Sequence, residues 1–190
     1  MNKSGTEIVE EYALGTPHDR FGLIYKYYGV FPQLIDSFEF GLYRRIHDEK
    51  EYNRRSRMTG IEELGVRVQT SGRYSNITQK EAMANLELDE VRESGVITRA
   101  FLEDTDDPEK HRRDLLTIQM MRDDYDVFNV TLKSLDPRAY RLTYKYIAKE
   151  SRVEEIADEE DMACQTLRNV LYKTRKRLER DVTPSFRNRF

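Results

Sequence analysis

Apolar side chains at Leu115, Ile118, Met121, Tyr125, Phe128 and Leu132 recur every three or four residues, and so do Ile35, Phe38, Leu42 and Ile46. A helix completes a turn in 3.6 residues, so this spacing gathers each set on one face and leaves the other face polar. A half-buried strand needs strict alternation, which neither segment offers. The pattern predicts an all-α protein, with one long amphipathic helix over Glu109 to Lys133 and others at about residues 19 to 29 and 33 to 57, broken near Gly29 and Pro32.

Capping signals divide the rest. Thr78 with Glu81 forms a capping box, which predicts a helix from Gln79 to about Ser94, stopped by Gly95, with a second from Val96 to Glu103. Asp107 before Pro108, and Asp136 before Pro137, put an N-cap ahead of a proline at the first helical position. Three helices then fit at about 137 to 149, 152 to 160 and 164 to 181, the middle one opened by a capping box of Ser151 and Glu154. Gly60, Gly65 and Gly72 flank a short extended piece, Val66 to Thr70. The expected organisation is an aromatic-rich helical region at 1–60, a connector at 61–77, a helical middle region at 78–134 and a C-terminal unit at 135–190. In the first region Tyr12, Phe21, Tyr25, Tyr27, Tyr28, Phe31, Phe38, Phe40, Tyr43 and Tyr52 form a core or the seam of a homo-oligomer, since so many rings do not stay exposed.

Charge narrows the function. The net charge of -3 excludes a protein that coats a polyanion over its whole surface. It is unevenly spread: residues 135–190 carry thirteen basic and ten acidic side chains, whereas residues 61–134 carry ten and sixteen. Any binding to nucleic acid is therefore local and C-terminal. One cysteine, Cys164, allows no internal disulfide, and there is no long apolar run or signal-peptide core. A cytoplasmic protein without membrane contact is expected.

Nothing in the chain suggests an enzyme or a cofactor. His18, His47 and His111 lie far apart without a helical partner, so no metal site is expected. No phosphate-cradling glycine loop, Gly-x-Ser-x-Gly elbow or His-Glu-x-x-His is present. Asp106-Asp107 and Asp123-Asp124 are pairs of a kind that hold divalent ions in nucleases, but carboxylates are too common here to single them out.

The C-terminal region carries the constellation that does point to chemistry. Ser151 to Met162 contains six carboxylates against Arg152, and Gln165 to Arg180 contains six Lys or Arg against Glu179. On the last helix Leu167, Val170, Leu171, Thr174 and Leu178 fall on one face, and Gln165, Arg168, Asn169, Tyr172, Arg175 and Lys176 on the other. In a helix-turn-helix the second helix lies in the major groove, with its first outward side chains at base edges and later ones at phosphates. Gln165, Thr166, Arg168 and Asn169 have the donors and acceptors for bases, Lys173, Arg175, Lys176 and Arg177 suit phosphates, and Tyr172 suits either. Double-stranded DNA is the expected partner.

The residues also carry a resemblance. Leu135-Asp-Pro-Arg-Ala-Tyr-Arg-Leu, Glu155-Ile-Ala157, Asp161-Met162, Thr166-Leu167 and Lys173 to Leu178 look like region 4 of sigma-70-type factors. With Gly65 to Gly72 ahead of it, the chain is similar to small sigma-like regulators of phages and mobile elements of low-GC Gram-positive bacteria, the ArpU and RinA type. The resemblance covers about 50 residues and implies a C-terminal helix-turn-helix of sigma-70 region 4 type, which follows the N-terminal aromatic-rich helices that the spacing predicts. It also implies transcription regulation by promoter or operator recognition, with RNA polymerase as a partner. Three positions depart from that pattern: Ala163 stands at the cap of the recognition helix, Asp161 at the turn glycine and Glu160 at an apolar core position. Two other functions fit the same residues, an adaptor that docks on RNA polymerase or a sigma factor through its acidic helix, and a small terminase-like DNA-packaging protein.

Overall fold

A computed structural model describes residues 5–63 and 100–187, and these are helical, with no strand among them. The helices are α1 (Gly5–Leu14), α2 (Pro17–Tyr27), α3 (Phe31–Glu63), α4 (Pro108–Lys133), α5 (Pro137–Ile147), α6 (Val153–Glu159) and α7 (Cys164–Val182). Short 3₁₀ turns occupy Tyr28–Val30, Ala100–Leu102 and Thr183–Ser185. The capping box at Thr78, the helices expected at 79–94 and over most of 96–103, and the extended piece at 66–70 lie outside the described residues. No described helix is long and apolar enough to cross a membrane.

Local chemistry explains the ends. The Thr16 hydroxyl accepts from the Asp19 N–H at 3.3 Å while the Asp19 carboxylate accepts from the Thr16 N–H at 3.0 Å. With Pro17 next, this reciprocal cap starts α2 at residue 17, earlier than the apolar spacing alone suggests. Asp107 and Asp136 cap α4 and α5 as expected, accepting from the N–H of Lys110 and of Ala139, each at 3.0 Å. α3 continues through Gly60 to Glu63, so the first residues of the expected connector are helical. At α6 the cap shifts by one residue from Ser151 and Glu154. Arg152 is the N-cap and the Glu155 carboxylate accepts its N–H at 2.8 Å. A guanidinium has no acceptor, so only this half of a capping box exists.

Packing groups the chain into two compact units, one of residues 1–38 with 116–190 and one of residues 39–115. In the first, Tyr12, Phe21, Tyr25, Tyr28 and Phe31 are buried, as is Phe128 of α4. Phe21 lies 5.7 Å from Phe128, and Phe31 stacks on Tyr125 at 5.5 Å. These five aromatic residues are thus part of the core that α4 packs on, whereas Tyr27 is only half-buried and Phe40 and Tyr52 of α3 are exposed and belong to no core. One contact there demands a glycine: a Cβ on Gly29 would lie 2.9 Å from the carbonyl oxygen of Ala148 at the end of α5.

In the second unit Leu42 and Ile46 of α3 are buried, together with Phe101, Leu102 and Leu115. Tyr43 meets Phe101 edge-on at 6.4 Å. His111 Nε2 lies 2.7 Å from the Glu49 carboxylate, and Asn53 donates to the Asp104 carbonyl at 2.9 Å and to the Asp106 carboxylate at 2.8 Å. Among the described residues no group of three or more His, Cys, Asp or Glu is placed to hold a metal ion.

Candidate nucleic-acid interface

Helices α5, α6 and α7 share one small core of Leu142, Ile156, Ala157, Leu167 and Leu171, with Val153, Met162, Cys164 and Val170 packed at its edge. At seven residues α6 is too short to hold itself, and burial of Ile156 and Ala157 at its centre keeps it helical. Both corners of the unit are built alike. After α5 the N–H of Glu150 reaches the Lys145 carbonyl at 3.1 Å and that of Lys149 reaches Tyr146 at 3.3 Å. After α6 the N–H of Met162 reaches Ala157 at 2.9 Å and that of Asp161 reaches Asp158 at 3.3 Å. These are paired Schellman closures, and each needs a left-handed residue, here Lys149 at φ 58° and Asp161 at φ 47°. Asp161 therefore does the work of a turn glycine. Ala163 is the N-cap of α7 and makes no side-chain cap, while Cys164 is half-buried against the core.

The face of α7 opposite this core is polar and open. Gln165, Thr166, Arg168, Asn169, Tyr172, Lys173, Arg175 and Lys176 are all exposed, Tyr172 at 63%. The structure distributes them over three strips. Gln165, Asn169, Tyr172 and Lys176, spaced by four, three and four, form the outward line, where the Gln165 amide donates to the Asn169 oxygen at 3.4 Å. Arg168 and Arg175, seven apart, form one flank. Arg168 donates to Glu154 of α6 at 3.2 Å, and the Arg175 guanidinium sits 5.1 Å over the Tyr25 ring of α2. Thr166 and Lys173, also seven apart, form the other flank.

Two of the six carboxylates of the acidic segment, Glu159 and Glu160, are paired with cations of α5. Arg141 of α5 donates to Glu160 through Nε at 3.0 Å and Nη2 at 2.9 Å, Arg138 lies 4.0 Å from the same carboxylate, and Lys145 pairs with Glu159. The Arg141 hydrogen bonds hold the Glu160 carboxyl below the usual carboxylate range. That accounts for an acid at an expected core position: the side chain is tied to the α5 surface instead of entering the core. On α7 itself Lys176 donates to Glu179 at 2.9 Å, and His18 of α2 lies 3.2 Å from the same residue. Glu179 is accordingly lowered, first by Lys176 and then by His18.

Arg138, Arg141 and Lys145 have no place among the DNA-contacting residues that the sequence predicts. Their spacing of three and four was a readable helix-face signal, but its meaning depended on where α6 would lie. The contact of Arg175 with Tyr25 had no such signal, because the two residues are far apart in the chain. Compared with protein-family models, with curated proteins and with solved structures, the chain matches none.

Proposed function

We propose that the protein is a sequence-specific DNA-binding regulator of transcription in which α6, its turn and α7 act as a helix-turn-helix and α7 enters the major groove. The observation that supports this is the open face of α7. It carries amides, arginine, tyrosine and lysine opposite the buried stripe of Leu167, Leu171, Thr174 and Leu178, and Glu159 and Glu160 of the preceding acidic segment are tied to α5. Gln165 and Asn169 then read base edges, Arg168 reads guanine, and Thr166 lies beside them. Lys173 and Lys176 meet phosphates, and Tyr172 stands between the two groups.

Arg168 must leave Glu154 to reach a base. Both side chains of that pair are more than half exposed, so it contributes little stability and competes weakly with a bidentate guanine contact. The test is selection of binding sites from a randomised duplex pool by the full chain, followed by fluorescence anisotropy on the enriched duplex. A shared sequence should emerge, and log affinity should fall linearly with log salt by about 0.9 per phosphate contact. Absence of binding near 50 mM salt, or affinity that ignores salt up to about 200 mM, would overturn the reading.

A further inference from the structure

Beside α7 lies a cleft of about 490 Å³, walled by Tyr25 and Lys26 of α2, Tyr146 and Lys149 at the end of α5, and Arg175 of α7. Among the described residues its lining holds three cations and no carboxylate. Gly22 opens it further, since a Cβ at that position would meet nothing within 4 Å. Two of the cations lie over aromatic rings. Arg175 rests over the ring of Tyr25, a buried residue, and Lys26 Nζ lies 4.9 Å over the Tyr27 ring. Lys149 is the exposed left-handed residue of the α5 corner, at φ 58°. A concave surface of one charge sign with aromatic walls concentrates anions.

We infer that this cleft is a phosphate-binding clamp, formed by Lys26, Lys149 and Arg175, which grips the DNA backbone alongside α7. The inference rests on the proposed function and deepens it. Arg175 lies on the flank of α7 shared with Arg168, so a duplex seated on the outward line brings one of its strands along this side. Two of the three cations come from outside α6 and α7. The footprint therefore extends past the helix-turn-helix, and α2 is part of the DNA surface. Phosphate contacts carry no sequence information, so the clamp adds affinity and orientation and leaves specificity to α7.

The test uses the full chain with Lys26→Gln, Lys149→Gln and the double variant, against Lys133→Gln, which removes one exposed cation that does not line the cleft. Anisotropy titrations over a salt series are run on the enriched duplex and on an unrelated one. Each cleft variant should lower the salt slope by about 1 and weaken both duplexes by the same factor, with the double variant losing about 2. Lys133→Gln should leave the slope as it is. Unchanged slopes in the cleft variants while the wild type still binds DNA would remove the clamp and keep the proposed function. Failure of the wild type to bind any duplex would remove both. Equal slope losses in Lys133→Gln would show a general charge effect and overturn the clamp. A thermal shift with inorganic phosphate that the double variant abolishes, alongside unaltered DNA binding, would assign the cleft to a free anion instead and likewise overturn it.

Discussion

Lys149 and Asp161 turn the chain at the two corners of the C-terminal unit in a backbone region where an L-residue costs about 1 kcal/mol and glycine costs none. Glycine gives back part of that advantage because it gains freedom in the unfolded chain. Asp161→Gly and Lys149→Gly should therefore each raise stability by about 0.5 kcal/mol, read as a higher urea midpoint at unchanged slope. The two should part on DNA. Lys149→Gly removes a cleft cation and should lower the salt slope, whereas Asp161→Gly should leave it alone. A destabilised Asp161→Gly would mean that the carboxylate itself caps the corner. Asp161 was readable as the turn residue because it falls between an acidic and a basic helix. Lys149 was not, since lysine is no stop signal, and the corner forms because the chain behind it must reverse. The same limit moved the α6 cap from Ser151 to Arg152, as both registers put an acid three residues on.

At the scale of elements the long helices were legible because each has a full apolar stripe to bury. α4 and α7 lie where their spacing puts them, within about two residues of the expected ends. α1 was not expected: at ten residues it offers only Ile8, Val9 and Tyr12 for burial, too few positions to establish a period. The pairing of Glu159 and Glu160 with α5 was also hidden, because a run of carboxylates looks the same whether its partners are α5 cations or solvent. The division of α7 into strips makes a prediction about that element. Arg168→Ala should cost about 1 to 3 kcal/mol on the enriched duplex and little on an unrelated one, while Lys176→Ala should weaken both alike. Competition titrations with the two duplexes measure this directly. If Lys176→Ala proved the selective variant, α7 would be rotated against the duplex so that Lys176, not Arg168, faces the bases.

For the molecule as a whole, the sequence order of regions conceals how the first unit is made, because residues 1–38 pack with residues 116–190. No spacing rule pairs α2 with α4 or α7. Burial in that unit pushes the Tyr12 phenol well above its ordinary value, aided by the Asp124 carboxylate, and burial likewise pushes up Tyr25. A raised pKa in the folded state means stability intact below the unfolded value of about 10 and lost as pH climbs from there towards the folded values. Denaturant midpoints should hold to about pH 9 and then fall, by about 1.4 kcal/mol per pH unit for each of the two phenols. Tyr25→Phe should remove one phenol's share of that fall, and an identical alkaline profile in this variant would mean that Tyr25 ionises as freely as in the unfolded chain. The same core holds a charge. Arg20 is fully buried with Nη1 3.2 Å from Asp124, and that nitrogen also reaches the Arg187 carbonyl at 3.1 Å, while Tyr12 donates to Asp124 at 2.7 Å. Nε and Nη2 of Arg20 have no hydrogen-bond partner among the described residues, where Asp124 is the main compensation for a charge removed from water. Asp124→Ala should cost about 3 to 5 kcal/mol because it strands the guanidinium, whereas the double variant Arg20→Met with Asp124→Leu should cost less than the single one. Chemical denaturation of the three proteins decides it. A loss under about 1 kcal/mol for Asp124→Ala would mean that water reaches Arg20 and that the tie between α1, α2, α4 and the C-terminal turn does not depend on this pair.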